Sequence, residues 1–262
     1  MSFDNYNNTY RRNKISEPAQ LYSDRSLWTP TADQKFMLGA QYEQNNGDRY
    51  RYCKNGATEI AKALLIAAEA TDAQQKAKVQ TLYGADAADK VFSVLATTGH
   101  GITDGELIDG FVLINDGGAA MGDLYIVKDN TFVTDDTVIS ITIADEGGLR
   151  NAIAATDDVS FFKNPYRDVI VKPTTLTGPI VGATLTIIPA NYYFWAKIRG
   201  ITALICDDSD AIVEGEPVGH IDGSGTAGSI GLVATHATDV VLGTCMYPST
   251  SLEATLIRLD IP

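Results

Sequence analysis

The glycine-rich stretch at residues 223–228 has the G-x-G-x-x-G spacing of dinucleotide-binding loops. In such loops the pyrophosphate is held by free N–H groups of a helix that begins at the third glycine. Residues 229–233 read Ser-Ile-Gly-Leu-Val, which are strand formers and glycines, so no helix is predicted there. We therefore interpret the stretch as an exposed hairpin loop, and we expect no nucleotide cofactor.

An acidic run is the second candidate for chemistry, because several carboxylates on one loop can bind Ca²⁺ or hydrolyse glycosides. The pattern D-x-[DN]-x-[DN]-G does not fit the run, and no glycine stands at the turn position. A solvated turn between strands is predicted, with a cation site and a hydrolase site as the alternatives. The residues are Asp207, Asp208, Asp210, Glu214 and Glu216.

Histidines and cysteines are few and far apart, whereas zinc ligands come in pairs two to five residues apart. Nucleophile motifs such as G-x-S-x-G, H-E-x-x-H and the P-loop are missing from the sequence. We therefore predict no catalytic residues, no metal and no cofactor. An odd number of cysteines excludes a complete disulfide framework, so all three are expected to be core thiols. The residues are His100, His220, His236, Cys53, Cys206 and Cys245.

Four consecutive aromatic residues occupy positions 192–195, and in a strand they must alternate between the two faces. Aromatic side chains on both faces indicate a sheet that is covered on both sides. The cover could come from the same chain or from another subunit. If another subunit or a partner supplies the cover, Tyr193 and Trp195 are candidate contact residues.

Residues 1–34 lack an apolar period and carry isolated aromatic and arginine residues, which are typical anchors of an extended segment on a partner surface. We interpret this segment as an N-terminal arm, with a disordered tail as the alternative. The candidate contact residues in the arm are Tyr6, Tyr10, Arg11, Arg12, Tyr22 and Trp28.

From residue 35 onward, short apolar or alternating runs separated by Gly, Asn and Asp predict a mainly β body, barrel- or sandwich-like, of short antiparallel strands. Connections too short for crossover helices exclude a doubly wound fold. One or two short helices are predicted, at residues 57–82 and 146–154. The body spans residues 35–262, with a division into 35–170 and 171–262 left open.

Length and charge restrict the function further. The chain has 262 residues and a formal net charge of −13, which argues against nucleic acid and anionic membranes as partners. No apolar run is long enough to span a membrane, and residues 1–14 do not read as a signal peptide. These features predict a protein made and kept in a cytosol-like compartment.

Several segments resemble the capsid decoration, or cement, proteins of tailed bacteriophages. They are residues 47–52 (GDRYRY), 54–57 (KNGA), 109–116 (DGFVLIND), 122–126 (GDLYI), 163–166 (KNPY) and 192–195 (YYFW) with Gly200, Ala203 and Leu204. One departure is Ala63 before the Leu64-Leu65 pair, where similar proteins tend to have a glycine turn, and it leaves open whether residues 57–82 form one long helix or a short helix and a strand.

The resemblance implies a β-rich virion structural protein without enzymatic activity. Such a protein assembles in the host cytoplasm, binds the outer surface of the major capsid protein lattice and stabilises the head, often as a trimer or dimer. Alternative functions are a tail or baseplate component, a carbohydrate-binding virion surface protein, and a hydrolase built on residues 207–216.

Overall fold

A computed structural model describes residues 24–71, 79–80, 83–95, 102–116, 118–131, 138–207, 212–220, 225–233, 239–249 and 252–261. The prediction of a mainly β protein is confirmed, since 45% of the residues are in strands and 3% in helices. The sheets are antiparallel and include a curled half-barrel. The chain divides into two compact units. Unit 1 is Met1–Glu69 with Tyr166–Pro262, and unit 2 is Ala70–Pro165.

Unit 1 contains a ten-stranded antiparallel sheet. Eight strands follow the order β10-β3-β11-β12-β16-β15-β13-β14, and β2 pairs with β12 while β1 pairs with β2. The strands are β1 (Gln41–Glu43), β2 (Arg49–Lys54), β3 (Leu65–Ala67), β10 (Ile170–Val171), β11 (Ile180–Ala183), β12 (Tyr193–Ile205), β13 (Pro217–His220), β14 (Gly231–Leu232), β15 (Val240–Tyr247) and β16 (Ala254–Asp260).

Alternation of side chains explains how the strands of unit 1 bury their apolar residues. In β16, Thr255, Ile257 and Leu259 are fully buried, and the residues between them are exposed. In β12, the even-numbered residues from Phe194 to Leu204 pack inward apart from Gly200, so the odd-numbered residues form the opposite face. This odd face of β12 carries two of the predicted contact residues.

Unit 2 contains a six-stranded antiparallel sheet in the order β4-β9-β6-β7-β8-β5. Its core is formed by the inward faces of these strands, including Val112, Tyr125, Ile141 and Phe161. The strands are β4 (Val79–Gln80), β5 (Val91–Leu95), β6 (Phe111–Ile114), β7 (Leu124–Asn130), β8 (Val138–Ile143) and β9 (Asp158–Phe162).

The helix predicted at residues 57–82 is wrong for residues 57–71, the continuous part that the structure describes. Leu65, Ile66 and Ala67 form β3, are fully buried, and pair with β10 and β11. Helix propensity contributes only tenths of a kcal/mol per residue, so burial and pairing within a sheet outweigh it. Ala63, with φ 61°, also lies outside the helical region.

The helix predicted at residues 146–154 is also wrong. The amide of Leu149 donates to the carbonyl of Asp89, and Ile153 exchanges backbone hydrogen bonds with Ala85. These long-range bonds occupy the groups that a helix would pair internally. The described helices are two short 3₁₀ helices, Asp24–Trp28 and Gly118–Ala120.

The contacts of Glu106 in unit 2 predict that the stability of the fold decreases in acid. Glu106 accepts hydrogen bonds from the amide and hydroxyl of Thr103, at 2.7 and 2.8 Å, and pairs with Lys163 at 2.7 Å. Burial alone would raise the pKa of the Glu106 carboxyl, but donation by Lys163 and Thr103 outweighs it and lowers this pKa.

We expect Glu106→Gln to lower the free energy of unfolding at pH 7 by about 1–3 kcal/mol, because it weakens hydrogen bonds to a charged acceptor. A depressed carboxyl pKa stabilises the fold above the unfolded-state pKa, and that stabilisation is lost as the pH falls through the folded-state value. Wild type and variant should therefore converge when urea unfolding is followed at pH values lowered through the folded-state pKa of Glu106. A difference that persists unchanged below that pKa would contradict the assignment.

Candidate functional site

The odd face of β12 carries an aromatic cluster, which we define as Phe36, Tyr42, Tyr50, Tyr52, Tyr193 and Trp195. The Trp195 ring contacts Tyr52 at 5.1 Å, Phe36 at 5.3 Å and Tyr42 at 5.9 Å between centroids. Tyr52 and Tyr193 are stacked at 6.0 Å. Offset and tilted aromatic pairs of this kind are favourable beyond their buried area.

Residues 24–43 of the same chain contribute Phe36 and Tyr42 to this cluster, and they cover its residues on β2 and β12. Leu27 and Leu38 are buried against it, and Thr31 exchanges two backbone hydrogen bonds of 2.8 Å with Tyr193. The Lys35 amide donates to the Tyr52 hydroxyl at 3.0 Å. Burial raises the pKa of that hydroxyl despite the donated bond. The segment is therefore attached to the sheet by backbone bonds as well as by apolar contact.

The predicted contact residues separate into three groups in this arrangement. Trp195 is buried and Tyr193 half-buried beneath residues 24–43, so the cover that the alternation predicted comes from the same chain. Trp28 is 54% exposed, next to the buried Leu27. Tyr6, Tyr10, Arg11, Arg12 and Tyr22 lie outside the described residues.

A buried ion pair stands at the edge of the aromatic cluster. Lys197 donates to Asp48 Oδ2 at 2.8 Å and to the carbonyl of Ile201 at 2.6 Å, and its side chain is 6% exposed. The Tyr50 ring lies 5.7 Å from its Nζ. Gly200, at φ 108°, is required beside it, because a Cβ at this position would lie 1.7 Å from Asp48 Oδ1.

A second buried lysine lies under the part of the glycine-rich loop that the structure describes. Lys172 is 2% exposed, and its Nζ lies 3.1 Å from His220 Nδ1, in a fully buried ring. Since an ammonium group only donates, His220 Nδ1 must be the acceptor. Burial lowers the pKa of Lys172 to about 8, and the nearby Asp207 opposes this shift.

Asp207 connects the acidic run to this loop. It is buried rather than solvated, and its Oδ2 accepts the Thr226 amide at 3.0 Å and the Ser229 hydroxyl at 3.4 Å. A Cβ at Gly225 would lie 1.4 Å from the same oxygen. Gly225 and Gly228 therefore allow the loop to close over a buried carboxylate, whereas residues 208–211 and 221–224 lie outside the described residues.

No protein-family model, curated protein or solved structure matches this chain.

Metal-binding side chains, cysteine thiols and helix length are three further features of the described part of the chain that bear on its function. No group of three or more His, Cys, Asp or Glu side chains there could hold a metal ion. The three cysteines are buried thiols, as expected, and burial raises the pKa of the Cys53 thiol. No described helix is both long and apolar enough to cross a membrane.

A depression of about 440 Å³ in unit 2 is lined by small residues and two carboxylates, Asp86 and Asp157. Asp157 Oδ2 accepts the amide of Ala154 at 2.8 Å, so this carboxylate caps its own turn. The lining offers no histidine, cysteine, serine or lysine beside the carboxylates, and so it supplies no nucleophile with an adjacent base.

Sequence reasoning missed both buried lysines. Each stands next to strongly apolar residues in the sequence. Lys172 directly follows Val169, Ile170 and Val171, and Lys197 lies between Ala196 and Ile198. A lone charge among such residues is the signal that could have been used, because a strand buried on both faces must pair that charge.

Proposed function

We propose that this chain is a non-enzymatic virion structural protein that binds the outer surface of a major capsid protein lattice and stabilises the head. It would be assembled in the host cytoplasm and located on the capsid surface. The acidic net charge of −13 favours a protein partner over nucleic acid or an anionic membrane.

The observation that carries the proposal is the way the arm meets the body. Residues 24–43 are held on the sheet of unit 1, and Trp28 remains exposed where the chain leads to residues 1–23. Exposed tryptophan, tyrosine and arginine are the residue types that dominate binding energy at protein interfaces. Because backbone hydrogen bonds attach this segment to the sheet of unit 1, a partner that binds the segment is connected directly to that sheet.

Repetition explains how modest contacts would stabilise a shell. Each copy contributes one arm and one body, and a tethered second contact forms at high effective concentration. Weak individual contacts then become collectively strong across a lattice, without an active site.

The copy number of the chain in purified virions tests this function. Quantitative mass spectrometry against the major capsid protein should give a ratio near one or a simple fraction of it. A few copies per virion would instead assign the chain to the tail or baseplate. Absence from the virion would overturn the proposal and favour the carbohydrate-binding or hydrolase alternatives.

The arm predicts a specific loss of binding. We expect deletion of residues 1–23, or Trp28→Ala, to weaken binding to capsids lacking the chain by about tenfold or more, as loss of an interface anchor does. The deletion stops at residue 23 because Leu27 is buried in the body. Tyr83→Ala, which removes a 65% exposed aromatic residue from unit 2, is the matched control. Unchanged co-sedimentation of both arm variants with capsids would contradict the role of the arm.

A further inference from the structure

The odd face of β12 is covered over only half of its length. Tyr193, Trp195 and Lys197 lie under residues 24–43 or beside Asp48. Beyond Gly200, the same face continues with Ile201 and Ala203, which are exposed. Among the residues that the structure describes, this sheet face of unit 1 thus has a covered half and a bare half.

The bare half extends across three neighbouring strands, with one register shift in β15 between Cys245 and Tyr247. Ala203 pairs with Leu256, which pairs with Tyr247, and Ile201 pairs with Arg258, which pairs with Thr244. Ile201 is 53% exposed, Tyr247 65% and Leu256 38%. We call this surface the bare face and define it as Ile201, Ala203, Thr244, Tyr247, Leu256, Arg258 and Asp260.

The bare face is a preformed platform. The residues directly beneath it, Leu204, Cys245, Ile257 and Leu259, are 0–2% exposed and belong to one core cluster. Its strands are central in the sheet order β12-β16-β15-β13, so their backbone groups are already paired. A partner must therefore stack on this face rather than add a strand to it.

The charges on the bare face fit a second copy of the chain. Each copy carries a net charge of −13, so two copies can approach only through a region that is not acidic. Arg258 and Asp260 stand two residues apart on the exposed side of β16, and Arg199 of β12 lies 3.6 Å from Asp260 within the same chain, so two cations and one carboxylate make this face locally basic. A two-fold axis between them places Arg258 of each copy against Asp260 of the other, flanked by the apolar side chains.

We propose that the bare face is a self-association surface, on which two copies of this chain stack face to face around a two-fold axis at β16. Stacked sheets pack about 10 Å apart with interdigitating side chains, which suits Ile201, Tyr247 and Leu256. This association does not depend on capsid binding.

Sedimentation velocity of the full chain, from about 1 to 100 μM, tests the proposal. Wild type should shift from one to two copies within this range. Ile201→Glu and Leu256→Glu should each raise the dimer dissociation constant at least about tenfold, because each places a carboxylate in an apolar contact. Ile187→Glu is the matched control, since Ile187 is 52% exposed on unit 1 outside the three strands. Circular dichroism checks that each variant is folded.

Charge exchange identifies the two-fold arrangement. Arg258→Glu and Asp260→Arg should each weaken the dimer, and the double variant should recover part of the lost affinity, because the exchanged charges again face each other while the pair of Asp260 with Arg199 stays lost. A wild-type chain that stays monomeric would overturn the proposal. A dimer insensitive to Ile201→Glu and Leu256→Glu but lost on deletion of residues 1–23 would overturn it too, and would assign self-association to the arm.

Discussion

Asp48→Ala is expected to lower the free energy of unfolding by about 3–5 kcal/mol, because it leaves the Lys197 ammonium buried without its carboxylate. The carbonyl of Ile201 and the Tyr50 ring remain near Lys197, but neither neutralises its charge. The effect should be large for a single substitution, since most point variants change stability by 0.5–3 kcal/mol.

The double variant Asp48→Ala with Lys197→Met distinguishes the lost pair from lost packing. Met keeps most of the apolar stem and removes the charge, so it should recover most of the stability lost in Asp48→Ala. Asp33→Ala provides the matched control, because Asp33 and Lys35 form an ion pair whose side chains are 85% and 54% exposed. That control should change stability by less than about 1 kcal/mol.

Urea unfolding followed by tryptophan fluorescence measures these differences, since Trp195 lies in the adjacent aromatic cluster. If Asp48→Ala costs no more than Asp33→Ala, the Lys197–Asp48 pair is not a buried ion pair in solution. If the double variant is no more stable than Asp48→Ala, the loss comes from packing instead of charge.

Local alternation is the part of this fold that could be predicted from the sequence. The sequence predicts strands at residues 49–54 and 138–143, and β2 and β8 have these bounds in the structure. Alternating apolar residues bounded by Gly, Asn and Asp indicate a strand without reference to distant segments. The prediction failed where pairing is long-range. The buried β3 lies in an Ala-rich run, and only its position between β10 and β11 makes it a strand.

The long strand β12 shows a second limit of predicting strands from the sequence alone. The sequence predicts two separate strands here, at residues 192–198 and 203–206. In the structure, the chain continues through Gly200, whose absent side chain leaves room for Asp48. Only the pairing of β2 with β12, two strands of unit 1 that residues 70–165 separate in the sequence, explains this glycine.

The candidate site was predictable as a set of residue types but not as an arrangement. Alternation alone indicated that Tyr193 and Trp195 share a covered face. That residues 24–43 supply the cover depends on backbone pairing between Thr31 and Tyr193, residues far apart in sequence that carry no local signal for it.

Lys172→Met is expected to raise the free energy of unfolding at pH 7, by up to about 3 kcal/mol. The pKa of Lys172 is about 8 in the folded chain, against about 10.4 for an exposed lysine, and each pKa unit corresponds to about 1.4 kcal/mol. Burial in the folded state therefore disfavours the charged form of Lys172. A methionine of similar length carries no charge and so removes this free-energy cost of folding.

The sign of the pH dependence follows from proton binding. Between pH 8 and about 10.4 the unfolded chain holds the lysine proton and the folded chain has released it, so the free energy of unfolding rises with pH. Below pH 8 both states are protonated and the full cost is present. Wild type should gain stability across this window, and Lys172→Met should lack that gain.

The two buried lysines make this comparison informative. Lys197 contacts a carboxylate directly, whereas Lys172 contacts the ring of His220. The charge of Asp207 acts on Lys172, but this carboxylate also accepts two hydrogen bonds from the loop. Lys54→Met is the matched control, because Lys54 pairs with Asp168 at 2.8 Å with both side chains mostly buried. That control should lose stability at pH 7. A Lys172→Met variant that also loses stability would mean that Lys172 contributes to holding residues 225–229 through Asp207, and that this contribution exceeds the cost of burying its charge.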